Sequence, residues 1–192
     1  MENHFNELVL KNRSYRRFNE NVRIPMDTLR ELVDLARQTP SSGNKQCLKY
    51  YLSNEPEENA RIFAALGFAG YLPEWGGPKE GERPSAYIVM LLDQEISKDG
   101  AVDTGIAAQT IMLGAVDRGL GGVMVANIRK VQLAETLKIS DQYAIVLVLA
   151  LGKPVEHVQM VTMDEEHGVR YYRDAEGNHY VPKRTLYELI IS

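Results

Sequence analysis

Apolar positions fall at helical or strand periods along most of the chain. Phe5, Leu8, Val9 and Asn12 lie at helical spacing, which predicts a first amphipathic helix over 3–12, ended by a cluster of cations. Leu29, Leu32, Val33 and Ala36 repeat the i, i+3, i+4, i+7 pattern after Pro25, a residue suited to a helix start, and the pattern stops at Thr39-Pro40. The aromatic-rich run 48–52 has strand length, and 55–66 reads as a third helix. Two continuous apolar runs, 86–93 and 143–151, read as central strands buried on both faces. Between them, 103–118 is apolar nearly all round (Ile106, Ala107, Ile111, Met112, Leu113, Ala115, Val116), which predicts a buried helix ended by Gly119-Leu120-Gly121-Gly122. A strand over 123–126 and a helix over 130–137 follow.

Two stretches break the periods. Between 67 and 84 lie five glycines (67, 70, 76, 77, 81) and three prolines (73, 78, 84), which rule out regular structure for most of that stretch. Because it also carries Phe68, Tyr71 and Trp75, flat side chains that disordered segments tend to lack, it reads as a lid that contacts substrate. The other stretch is the extended C-terminal segment 153–192. There Val169-Arg170-Tyr171-Tyr172 and His179-Tyr180-Val181 flank 174–178 as the arms of a hairpin. His157, His167 and His179 sit in this polar segment and are expected to be solvated. With no internal repeat and no domain-length linker, residues 1–192 read as one domain, an α/β or α+β sandwich.

Composition narrows the function classes. With 22 Lys plus Arg against 26 Asp plus Glu, the net charge of −4 offers no general field for nucleic acid or an anionic membrane, so any polyanion binds locally. A single cysteine, Cys47, allows no internal disulfide and fits a reducing compartment, so the expected location is the cytoplasm. The longest fully apolar stretch, 144–151, is too short to span a bilayer, and the N-terminus opens polar. Phosphate-loop, zincin, nucleophile-elbow and Cys/His metal spacings are absent. The glycines at 119, 121 and 122 follow a helix and precede a strand, the reverse of the dinucleotide fingerprint, and read as a tight turn.

Three segments carry candidate chemistry. Lys11-Asn12-Arg13-Ser14-Tyr15-Arg16-Arg17-Phe18 packs four cations into seven residues of an acidic chain. It reads either as cations completing a helix C-terminus or as a phosphate site, in which arginine forks grip two oxygens and serine adds a neutral donor. Pro40-Ser41-Ser42-Gly43-Asn44-Lys45-Gln46 is either an ordinary polar loop or a set of hydroxyls and amides suited to the edge of a planar heterocycle. Lys183-Arg184, by themselves, read as solvated charge.

Taken together and in order, these segments, the helix Ala107-Ala108-Gln109-Thr110-Ile111-Met112-Leu113 running into Gly119-Leu120-Gly121, and Pro182-Lys183-Arg184 resemble the FMN-dependent nitroreductase family over nearly the whole chain. The resemblance implies an α+β fold, an α/β/α sandwich around a mixed central sheet, in a homodimer with FMN at the subunit interface. It implies that Arg13, Ser14 and Arg16, with Arg17 in addition, surround the FMN phosphate and ribityl chain. Lys183 and Arg184 match late basic residues at the phosphate. Pro40, Ser41, Ser42, Asn44 and Gln46 match a loop that reaches flavin across the dimer, and Met124, Val125, Ala126 and Asn127 match backbone passing the flavin ring. Asn12 stands where a second cation is usual in the family, and Ala126-Asn127 where a glycine or acidic residue is common. Phe68, Tyr71 and Trp75 are candidate substrate contacts.

The implied activity is ping-pong electron transfer from NAD(P)H to a nitroaromatic, quinone or similar conjugated acceptor. Because the flavin carries that chemistry, no catalytic side chain and no metal are expected. Two alternatives stay open: another flavin reaction on the same scaffold, such as reductive dehalogenation or flavin cleavage, and a flavin-binding regulatory module without turnover.

Overall fold

A computed structural model describes residues 4–191. Helix α1 (His4–Lys11) leads to a short β1 (Phe18–Asn19) and then α2 (Met26–Arg37), whose N-cap is Pro25. A 3-10 turn (Ser42–Asn44) precedes β2 (Leu48–Ser53), α3 (Pro56–Phe63) and β3 (Ala86–Asp93). Then come α4 (Ala101–Asp117), β4 (Gly121–Val125), α5 (Lys130–Leu137) and the long β5 (Tyr143–Pro154). The C-terminal segment adds β6 (Val158–Thr162), β7 (Tyr172–Arg173), β8 (His179–Lys183) and a one-turn α6 (Leu186–Leu189).

Strand β5 organises the main sheet. It pairs with β3 along one edge and with β4 along the other, its last residues pair with β1, and β2 closes the far side of β3. All four ladders are antiparallel, so the mixed character expected of the central sheet reduces to one parallel bridge, Ser14 to Gly122. A true parallel pair, β6 with β8, belongs to a separate three-stranded sheet that the sequence pattern showed only as a hairpin.

Every residue of β3 is buried because helices cover both faces. One face packs Ile88, Met90, Leu149 and Leu151 against Leu29 and Leu32 of α2 and Ile111 and Met112 of α4. The other packs Tyr87, Val89, Val148 and Ala150 against Ile62 of α3 and Leu133 of α5. This is a three-layer α/β/α sandwich, in which continuous apolar strands are the expected pattern.

Two expectations about helices change. Helix α3 ends at Phe63 and not at Leu66, because Ala64 to Leu66 turn to form a bridge with Ile128. Helix α4 is buried on one face only: Val102 is exposed, while Ile106, Leu113 and Val116 are half-buried.

Close approach sets two glycines. A methyl group on Gly122 would fall 2.5 Å from the Ala150 backbone carbonyl oxygen, and one on Gly67 would collide with the Asn127 side chain. Both contacts matter to the site, since Gly122 receives the N-terminal cationic segment and Gly67 abuts the end of β4.

Candidate functional site

The N-terminal cations are fixed by backbone before any ligand is considered. The Tyr15 N–H donates to the Gly122 carbonyl at 3.0 Å, which lays residues 13–16 along the start of β4. On the other side, the C-terminal sheet folds over the same segment. The result is a cleft of about 250 Å³ lined by Asn12, Arg13, Ser14, Arg16, Tyr171, Val181 and Lys183. Residues from the two ends of the chain therefore share one wall.

Two features of this cleft suit an anion. Arg13 Nη2 donates to the Val9 carbonyl at 2.8 Å, but its Nε is buried without a partner. Arg16 is buried, and its Nη1 meets only the Ser14 carbonyl, at 3.1 Å, and the ring of His179, at 3.4 Å. Burial pulls this guanidinium below its ordinary pKa, and Arg173 adds to the effect, with Tyr171 and Glu156 opposing it. Among the described residues Arg13, Arg16 and Lys183 form no ion pair. A buried cation without a carboxylate is costly, and an anionic ligand would relieve that cost.

The expected partners Arg17 and Arg184 lie elsewhere. Arg17 forks onto Glu82, with Nε to Oε2 at 3.0 Å and Nη2 to Oε1 at 2.6 Å, and that pairing raises its pKa. It ties the glycine-rich segment to the N-terminus. Arg184 is exposed beside Glu188 at 3.4 Å and does not line the cleft.

His179 corrects the expectation that the C-terminal histidines are solvated. It is fully buried between two arginines: Arg173 Nε donates to its Nδ1 at 3.3 Å, and Arg16 lies at its Nε2. Burial first, and the Arg16 and Arg173 charges second, hold its pKa down at about 4, so the ring is neutral near pH 7. Beside it the buried Glu156 carboxylate takes Arg173 Nη2 at 2.9 Å and accepts the backbone N–H groups of Arg16 and Arg17. His157 is exposed as expected, and His167 is half-buried, stacked on Tyr172 at 3.8 Å.

The 40–46 loop is arranged around a residue that the sequence did not flag. Asp103, in the first turn of α4, accepts Ser41 Oγ at 2.6 Å and the Ser42 N–H at 2.9 Å. These bonds, led by Ser41, hold its carboxyl below the usual range. Ser41 Oγ in turn accepts the Gln46 N–H at 2.9 Å. Gly43, Asn44 and Gln46 all have φ between 53° and 58°, an uncommon conformation for the two side-chain-bearing residues. Ser42, Asn44 and Gln46 are left exposed. Ser41 and Gln46 line a separate cleft of about 180 Å³ together with Pro40 and Cys47, so within one chain this loop and the cationic cleft do not meet. The early-turn Asp of an apolar helix was the one available signal for Asp103.

Along β4, Val125 is in the core, while Met124, Ala126 and Asn127 are exposed. The Asn127 carbonyl accepts the Gly67 N–H at 2.9 Å, so the expected ring-facing strand end adjoins the start of the 67–84 segment. Two of the three aromatics there pack inward: Phe68 stacks on Phe63 at 5.4 Å, and Arg173 sits 4.3 Å over the Trp75 ring. Tyr71 is about half exposed and meets Tyr171 at 5.0 Å. No helix among the described residues is long and apolar enough to cross a membrane, and no group of three or more His, Cys, Asp or Glu there is placed to hold a metal.

Comparison with known proteins adds to this geometry. A sequence model described as "Nitroreductase family" matches residues 9–69 and 84–153. An NADPH-flavin oxidoreductase of Vibrio harveyi is 24% identical over 171 residues, covering 80% of this chain and 67% of that protein. Among solved structures, a nitroreductase family protein from Clostridium novyi NT aligns with a TM-score of 0.64 at 26% identity, covering 80% of this chain and 87% of that one. The NADPH:FMN oxidoreductase of Vibrio harveyi complexed with NAD+ aligns with a TM-score of 0.63 at 24% identity, covering 91% and 75% of the two chains.

Proposed function

The chain belongs to the nitroreductase family, and from that premise we propose that it is an FMN-dependent, NAD(P)H-oxidising homodimer that reduces small aromatic or conjugated acceptors by ping-pong turnover. The observation that carries this reading is the cationic cleft, where Arg13 and Arg16 at one end of the chain meet Lys183 at the other with a buried, unpartnered Nε and no Asp or Glu in the lining. These groups suit a phosphate monoester, for which fork-shaped, charge-assisted donors are the strongest neutral-pH partners. When bound, the flavin supplies hydride acceptance from a nicotinamide and onward electron delivery.

The chain's own residues have narrower tasks. Arg13, Ser14, Arg16 and Lys183 hold the phosphate end. The exposed Met124 and the backbone of 124–127 flank the ring, and the exposed Ser42, Asn44 and Gln46 reach the flavin of the second subunit. The cross-subunit reach is supported by the separation of the 40–46 loop from the cationic cleft within one chain. Dimerisation is supported by apolar surface left uncovered: α1 buries no residue, and Phe5, Leu10, Val102, Leu186, Tyr187 and Ile191 are all more than half exposed.

The test is anaerobic. The FMN-loaded protein is mixed with NADH or NADPH while the flavin absorbance is followed, and an acceptor panel is then added. Bleaching by either nicotinamide, with recovery of the yellow form on adding a nitroaromatic or quinone, is the expected result. FMN that binds and is never bleached would identify a flavin-binding module without turnover, and a protein that takes up no FMN would refute the reading altogether.

A further inference from the structure

A second, larger cleft of about 380 Å³ lies between α3, the turn after β1 and the chain entering β3. Among the described residues four buried side-chain polar atoms lack a hydrogen-bond partner, and three belong to residues lining this cleft: Arg83 Nε, Ser85 Oγ and Tyr87 Oη. Tyr87 is 0% exposed and Ser85 6%, so these unpartnered groups are closed off from bulk water. Unpaired buried donors are rare and costly, and three in one cavity call for an occupant that satisfies them together.

The chemistry of the three groups selects that occupant. An arginine Nε–H only donates, and both hydroxyls can donate in the same direction, so the occupant presents an acceptor with several lone pairs. Apolar lining beside them comes from Pro84 and from Phe63, whose ring already carries the Arg83 guanidinium at 4.8 Å. At the rim Arg23 adds a cation, set against two carboxylates, the exposed Glu80 and Glu20, whose Oε2 accepts the Gly81 N–H at 2.5 Å. The volume falls in the lower range of small-molecule sites. This cleft shares no lining residue with the cationic cleft of Arg13, Arg16 and Lys183. Arg83 also comes from 70–83, the internal stretch that the family match skips.

We propose that this cleft binds a small monocarboxylic acid with a flat apolar body, its carboxylate accepting from Arg83 Nε and the Ser85 and Tyr87 hydroxyls, its body lying along Phe63 and Pro84. Benzoate is the probe. Titrated into the purified protein carrying its flavin and followed by calorimetry, it binds saturably. Tyr87→Phe and Arg83→Gln each weaken it at least tenfold, and Ser85→Ala serves as a third variant that alters no ring or charge. Arg30→Ala, an exposed cation outside both clefts, leaves the benzoate affinity unchanged. Absence of saturable binding overturns the proposal, as does binding kept undiminished in both Tyr87→Phe and Arg83→Gln. A Tyr87→Phe protein that melts lower than the parent, with benzoate binding in neither, would assign the unpartnered groups to buried water and also overturn it.

Discussion

The Arg16 guanidinium lies 4.6 Å from the centroid of the Tyr171 ring. That contact joins a residue inside the stretch matched by the family model to one 18 positions beyond the end of the match at 153. It shows how the C-terminal segment shapes the anion cleft: the ring shields the guanidinium from water, and a cation over an aromatic face keeps part of the stabilisation it loses by leaving solvent. Tyr171 also tilts against His179 at 5.2 Å and Tyr71 at 5.0 Å, so one side chain bridges the cleft, the buried histidine and the glycine-rich segment.

Removing either cleft arginine is expected to separate phosphate from ring recognition. Arg13→Ala or Arg16→Ala should weaken FMN by roughly tenfold to a hundredfold, the range of one charge-assisted hydrogen bond at about 1.5–3 kcal/mol, while riboflavin affinity changes little. Flavin fluorescence titration measures both. Equal losses for the two flavins would place the phosphate elsewhere.

Stability should depend on pH through His179. Its pKa in the fold is about 4, below the ordinary 6.5, so between those values the unfolded chain binds more protons than the native one. Stability contributed by the neutral ring is therefore complete above about pH 6.5 and falls as the pH drops towards 4, by up to about 3 kcal/mol. Urea unfolding from pH 4.5 to 7.5 should show this slope. His179→Gln should flatten it, and an unchanged slope in that variant would show that other groups are responsible.

Glu156 is expected to be structural. Its side chain is 0% exposed and holds Arg173 together with two backbone N–H groups. Glu156→Ala should cost about 3–5 kcal/mol, because it strands the half of a buried pair that remains. Denaturant midpoints at pH 7 test this, and a loss below about 1 kcal/mol would mean that Arg173 finds water instead.

The aromatics of 67–84 should divide by role. Trp75→Ala loses the contact with Arg173 and is expected to lower the melting temperature with acceptor preference intact. Tyr71, about half exposed, is the residue whose replacement by Ala should change the ranking of acceptors by about tenfold, near 1.4 kcal/mol, without changing FMN affinity. Steady-state kinetics over an acceptor panel decide it: an unchanged ranking in Tyr71→Ala would leave the segment a purely structural cover.

The homodimer is tested by sedimentation of the intact chain and of a chain ending at Thr185. The intact protein should sediment as a dimer, and removing the exposed apolar residues 186–191 should weaken it. A monomer that keeps tight FMN would refute both the dimer and the cross-subunit role of the 40–46 loop.

What the sequence determined by itself was local. Strand runs such as 86–93 and the helix at 130–137 follow from period and burial, which neighbours along the chain encode directly. The cationic segment at 13–17 was equally visible as composition, and the resemblance named the family that the later match supports. Tertiary structure decided which cations share a cleft. Arg17 and Arg184 look equivalent to Arg16 and Lys183 in sequence, yet Glu82 and Glu188 take them, because pairing depends on which loop folds against which end. It also buried His179, whose polar sequence neighbours gave no sign of the two arginines that enclose it. Glu156 and the unpaired Tyr87 hydroxyl were invisible for the same reason, and Asp103 showed only as an acidic residue in the first turn of a helix. A buried polar group is defined by partners or cavities built from distant segments, and no periodicity along the chain records those meetings.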